Sequence, residues 1–178
     1  DTSAKNNKTT LLSTTKTATI KQLEINAFAR EIRKLCNDEA SKCLLEVGCG
    51  NGYNLFGLAD LFPNFKFEGV DYSKEMIKAA QNLNKQHFDS KISFDVADIL
   101  NLDASMLDNS IYDFVITDRM LINLNSWDLQ QNALKKLVSL LKPNGYLILI
   151  ENFTKSYTNQ NQLREIIGLS PRVPDAYN

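Results

Sequence analysis

Apolar positions along the chain change their period twice. Over residues 1–19 they are sparse among threonine, serine, lysine and asparagine, which predicts a flexible N-terminal arm. Then Ile20, Leu23, Ala27, Phe28, Ile32 and Leu35 recur at helical spacing and predict a helix over 20–36. From Leu44 onward, short apolar runs alternate with longer amphipathic ones. They predict strands at 44–47, 66–70, 92–96, 114–117 and 146–150, and helices at 52–62, 73–86, 126–142 and 159–167. Pro143, Asn144 and Gly145 predict a turn feeding the last strand. Strands that are apolar almost throughout, alternating with amphipathic helices, predict a doubly wound α/β fold with helices on both faces of a parallel sheet. Residues 20–178 read as a single domain, and the 28 residues after Ile150 show one helical stretch and no further pair of strands.

Charge and cysteine content narrow the classes of function. The 178 residues carry 20 basic and 21 acidic side chains, a net charge of −1, and only 5 of the basic residues are arginine. That balance disfavours a nucleic-acid partner, whose affinity comes from neutralising several phosphates together. No apolar run approaches the roughly 20 residues of a membrane span. Cys36, Cys43 and Cys49 form no CxxC pair and there is one histidine, so neither a disulfide framework nor a structural metal site is expected. Reduced, buried cysteines suit a cytoplasmic protein.

The strongest chemical signal is LLEVGCGNGYN at 44–54. An apolar strand ends at Val47, Gly48, Gly50 and Gly52 follow, and a helical pattern opens behind them. Glycines there let the backbone turn sharply and approach a ligand where a β-carbon would collide. Asp71 ends the next strand, 19 residues beyond Gly52, where a carboxylate faces the same crevice and can accept both hydroxyls of a ribose. Asp98 ends the third strand, in ISFDVADIL, placed to meet the far end of a nucleoside. Either aspartate could instead cap the helix or turn that follows it. A dinucleotide loop wants GxGxxG, and its third glycine would stand where this chain has Tyr53. The acidic Glu46 two positions before Gly48 suits a cationic ligand better than a pyrophosphate. S-adenosylmethionine carries a sulfonium and an ammonium and needs no phosphate cradle.

At these residues the sequence resembles the class I S-adenosylmethionine-dependent methyltransferases, whose fold is a Rossmann-like sheet. EVGCGNG resembles the family's first motif, GVDYSKEMI its ribose-binding second and VADIL its adenine-contacting third. YDFVITDRMLINL is similar to the fourth-strand region and LLKPNGYLILIE to the fifth, so the resemblance spans about 40–152. It implies that Glu46, Gly48, Gly50 and Gly52 shape the methionine end of the site and that Asp71 holds the ribose hydroxyls. It places Tyr72 and Met76 near the ribose and adenine, Asp98 and the Ile99 backbone at the adenine amino group, and Thr117 near the transferring methyl. TDRMLINLNSWDLQQ further resembles bacterial members that act on small molecules or sugars.

Methyl transfer from a sulfonium is an in-line displacement, and holding the reactants in near-attack geometry supplies roughly 7–11 kcal/mol. A base is needed only when the acceptor is a hydroxyl. Asp118 is the first candidate for it, with Arg119 placed to hold an anionic acceptor; a loop salt bridge or solvated charges is the alternative for both. The segment TDRML is unlike the Asn/Asp-Pro-Pro-Tyr/Phe motif of methyltransferases acting on adenine or glutamine. The expectation is therefore a methyltransferase for a small-molecule oxygen or nitrogen acceptor, a sugar among the candidates. A non-catalytic S-adenosylmethionine-binding module and a nicotinamide-dependent oxidoreductase stay open as alternatives. The family's sheet usually closes with an antiparallel pair after the fifth strand. A fifth strand left as a bare apolar edge invites aggregation, so further chain is expected at the C-terminus.

Overall fold

The computed structural model describes residues 18–36, 40–87, 92–109 and 111–173. The predicted arm over 1–19 lies outside them except for its last two residues. Those begin the first helix, α1 (Ala18–Leu35). The chain continues through β1 (Cys43–Val47), α2 (Tyr53–Leu61), β2 (Lys66–Asp71), α3 (Lys74–His87), β3 (Ile92–Val96) and β4 (Tyr112–Asp118). It ends with α4 (Trp127–Ser139), β5 (Leu141–Ile150) and α5 (Thr154–Ile166).

The five strands form one parallel sheet in the order β3-β2-β1-β4-β5. The chain winds outward from β1 to β3, then crosses back to β4 on β1's other side. Ligand crevices open at such a reversal, at the carboxyl ends of the strands. Successive strand residues feed two cores. Leu44 and Phe114 pack with Phe28, Leu55 and Phe62 on one face, while Leu45 and Val115 pack with Ala133 and Leu137 on the other. Double-sided burial explains why these strands read as continuous apolar runs. On the first face α1 lies close against α2, since a Cβ on Gly57 would stand 2.6 Å from Ile25 Cδ1.

Several element boundaries differ from the periodicity. The helix predicted to reach 142 stops at Ser139, because Pro143 disfavours helical backbone at Lys142 and Leu141 already pairs with Tyr112. The expected turn is a bulge within β5: pairing resumes at Tyr146 opposite Phe114, and Asn144 takes φ 65°. The last helix begins at Thr154, not 159, its polar first half carrying no apolar period to read. Among the described residues no strand follows β5, and α5 buries none of its side chains. No described helix is long and apolar enough to cross a membrane.

Candidate functional site

The turn from β1 to α2 is built on three left-handed glycines, Gly48 (φ 77°), Gly50 (φ 55°) and Gly52 (φ 81°). The Gly48 and Cys49 amides donate to the Val70 carbonyl at 2.8 and 3.0 Å, which pins the loop to the end of β2. Side chains at two glycines would collide with their neighbours. A Cβ at Gly48 would stand 2.6 Å from Met120 Cγ, and one at Gly52 would stand 2.6 Å from Phe94 Cζ.

Above this loop opens a cavity of about 780 Å³, within the range of small-molecule sites. Glu46, Gly48, Gly50, Asp71, Tyr72, Met76, Asp98, Ile99, Asp118 and Arg119 all line it, as does Lys21 of α1. The structure therefore brings ten of the sequence-selected residues to one crevice. Gly52 stands just behind, as the residue before α2. Thr117 is fully buried and does not reach the wall; its hydroxyl donates to Glu151 Oε1 at 3.1 Å. A second cavity of about 730 Å³ lies along the β3 edge, away from the glycine loop.

Asp71 caps the turn into α3 and also ties down the glycine loop. Its Oδ2 accepts from the Gly50 amide at 2.8 Å and its Oδ1 from the Ser73 amide at 2.9 Å, joining the glycine loop to the start of α3. Asp71 lines the cavity, and each of its oxygens has a further lone pair beyond these bonds, the number a ribose diol requires. Burial raises its pKa against those two hydrogen bonds. Asp98 caps the turn after β3, accepting from the Leu100 amide at 3.0 Å and the Asn101 side chain at 2.9 Å, while staying exposed on the cavity rim.

Glu46 sits in mid-sheet at 1% exposure. Its Oε1 accepts from Asn54 Nδ2 at 2.7 Å, and its Oε2 is buried with no partner among the described residues. Burial pushes its pKa up to about 8, outweighing the Asn54 hydrogen bond and Lys21. A buried carboxylate oxygen without a donor, at the wall of an open cavity, fits an incoming cation.

Asp118 differs from the expected free base. Lys21 Nζ contacts Asp118 Oδ2 at 2.5 Å and Glu24 Oε2 at 3.0 Å. Arg119 completes a ring of alternating charge, meeting Glu24 Oε1 at 2.9 Å and Asp118 Oδ1 at 3.4 Å. Asn54 Nδ2 adds a further contact to Asp118 Oδ2 at 3.1 Å. Burial would raise the Asp118 pKa, but Lys21, Arg119 and Asn54 outweigh it and hold the carboxyl below its usual range. A carboxylate held this way is a poor proton acceptor, and its cations are committed to it. Asp118 and Arg119 thus fasten α1 to the end of β4. His87 is the last residue of α3.

Sequence reasoning missed Lys21, Glu24, Asn54 and Glu151. Lys21 and Glu24 share the buried stripe of α1 with Ile25, Phe28 and Ile32, and charges on an apolar stripe were the available signal. Glu151 follows β5 as Asp71 and Asp118 end β2 and β4, a repeated acid at the strands' carboxyl ends. Nothing in the sequence around Asn54 marks it.

Known proteins bear on this cavity. The chain is 34% identical over 118 residues to malonyl-[acyl-carrier protein] O-methyltransferase of Bacillus cytotoxicus, covering 66% of this chain and 38% of that protein. It is 33% identical over 134 residues to protein-lysine N-methyltransferase EFM4 of Saccharomyces cerevisiae, covering 70% of this chain and 55% of that one. The chain thus spans about half or less of the length of these relatives. The structure of PKMT2 from Rickettsia typhi in complex with AdoHcy superposes with a TM-score of 0.62 at 27% identity, covering 79% of this chain and 27% of that chain. A family described as methyltransferase domain matches residues 38–169. That match runs from before β1 to beyond β5 and contains every loop lining the crevice, and the chain belongs to the methyltransferase-domain family.

Proposed function

We propose that the chain binds S-adenosylmethionine in the 780 Å³ cavity and directs its methyl group to an oxygen or nitrogen of a small-molecule acceptor. The observation that carries this reading is Glu46: a buried carboxylate with one orphaned oxygen, beside a loop whose left-handed glycines line the same cavity. Glu46 would receive the ammonium at the methionine end, and the glycine loop would cradle that end. Asp71 would accept the ribose hydroxyls, with Asp98, Ile99, Tyr72 and Met76 around the base. When bound, the sulfonium supplies an activated methyl and a good leaving group.

The chain's own contribution is positioning. The Lys21–Asp118–Arg119–Glu24 ring holds α1 as part of the cavity wall, and Ile122, Asn123 and Leu124 line the wall beside it. No carboxylate at the end of β4 is free to take a proton, which favours an acceptor that attacks before losing one, such as a neutral amine. The absence of a net positive charge and the unrelated TDRML segment support a small acceptor over nucleic acid. A second reading, a protein lysine acceptor, follows from the likeness to the yeast relative. Titration calorimetry with S-adenosylmethionine and with NAD tests the cofactor. Transfer of labelled methyl to small amines and alcohols against lysine peptides tests the acceptor. Binding of NAD alone would overturn the cofactor assignment, and turnover of peptides alone would overturn the small-molecule assignment.

A further inference from the structure

Asp71 and Asp118 both line the cavity, yet Glu151, the acid that follows β5, does not. Its carboxylate turns beneath the segment that follows β4. One oxygen, Oε1, accepts from the Thr117 hydroxyl at 3.1 Å and from the Met120 and Leu121 amides at 3.0 Å each. The Arg119 amide, just upstream, donates to the Ile150 carbonyl at 2.7 Å. Arg119 is left-handed at φ 53° and Met120 right-handed at φ −85°. That succession turns consecutive amides toward one concave side, a shape that holds anions. Here the chain supplies the anion itself.

This placement has consequences for the cavity. Arg119, Met120, Ile122, Asn123 and Leu124 form one wall of it. Met120 also packs directly on Gly48, which leaves no room there for a Cβ. The segment is therefore held between the glycine loop on one side and the Glu151 carboxylate on the other. Removing that carboxylate would leave two amides without an acceptor and release the unfavourable Arg119 conformation.

We infer that Glu151 is a positioning residue for methyl transfer: through the Met120 and Leu121 amides and the Thr117 hydroxyl, it sets the cavity wall that faces the glycine loop. The inference rests on the reading of this cavity as the S-adenosylmethionine site. It also assigns Thr117 a task, bracing this carboxylate from the end of β4.

Hydrogen exchange and S-adenosylmethionine titration on the full chain test it, using wild type, Glu151→Ala and Glu151→Gln. In Glu151→Ala, exchange at Met120 and Leu121 should quicken about tenfold while Leu45 and Val115 hold, and affinity should fall about fivefold. Glutamine keeps an acceptor oxygen without the charge, so both effects should shrink but keep their direction. Faster exchange across the whole sheet in the alanine variant, unrescued by glutamine, would mean a general structural role and overturn the inference. Unchanged affinity in Glu151→Ala, with wild type binding, would overturn it and leave the cofactor assignment standing. A wild type that does not bind would remove both. If the alanine variant does not fold, Glu151→Gln decides: local exchange and affinity both shifted support the inference, and both unchanged overturn it.

Discussion

Glu46→Gln removes a carboxyl whose ionisation this fold resists. The wild-type carboxyl is buried, shares one oxygen with Asn54, and has its pKa pushed from 4.5 to about 8 chiefly by burial. The folded chain therefore keeps a proton that the unfolded chain releases between those two values. The resulting cost to stability is absent below pH 4.5, grows through the window and levels off above pH 8. Each pH unit corresponds to about 1.4 kcal/mol, so the cost at pH 7 is on the order of 3 kcal/mol. Glutamine keeps an oxygen for Asn54 and has no proton to lose. Urea unfolding of both proteins from pH 5 to pH 8 should show the variant's advantage widening by about 1 kcal/mol per unit. An advantage that does not change with pH would refute the burial argument. The same proton links to ligand: a cation needs the ionised carboxylate, so wild-type affinity for S-adenosylmethionine should rise up to about tenfold per unit below pH 8 and then flatten. Calorimetry in buffers of different ionisation enthalpy should detect the released proton in wild type and not in the variant.

Three further substitutions probe separate parts of the site. Asp71→Ala removes the acceptor for the proposed ribose hydroxyls, each charge-assisted bond being worth about 1.5–3 kcal/mol. Titration should therefore show at least a roughly tenfold loss of S-adenosylmethionine affinity with an unaltered circular dichroism spectrum; an unchanged dissociation constant rejects the ribose role. Gly52→Ala combines a left-handed φ of 81° with a Cβ 2.6 Å from the Phe94 ring, so thermal unfolding should shift down by several degrees. An unshifted transition would show that the loop relaxes freely. Lys21→Met removes the more buried of the two cations that Asp118 and Glu24 share, leaving Arg119, and should destabilise by up to about 3–5 kcal/mol in urea. Adding Asp118→Asn should recover part of that loss, and strict additivity of the two changes would show that the ring is not energetically coupled.

Most of the fold was legible because a parallel sheet buried on both faces writes itself as short, nearly unbroken apolar runs. Leu44 and Leu45 enter opposite cores, and no alternation is needed to recognise their strand. The boundaries that failed did so where local pattern and pairing diverge. Leu140 and Leu141 continue α4's apolar period, but Leu141 pairs with Tyr112. The first half of α5 is polar and buries nothing, so it offered no period at all.

The glycine-loop side of the cavity depended on short-range chemistry that any one strand-loop-helix unit displays: glycines where φ must be positive, and acids at strand ends. The sequence by itself therefore determined the glycine loop, Asp71, Asp98 and the crevice they share. Tertiary structure decided how the remaining charges are used. Lys21 and Asp118 are 97 positions apart, and Thr117 and Glu151 are 34 apart. Only the packing of α1 over β4 turns Asp118 from a free acid into part of a ring, and only the pairing of β5 beside β4 turns Glu151 toward the cavity wall. A side chain's charge is written in the sequence, but its protonation and its partner depend on what the fold brings within a few ångströms and how much water it leaves there.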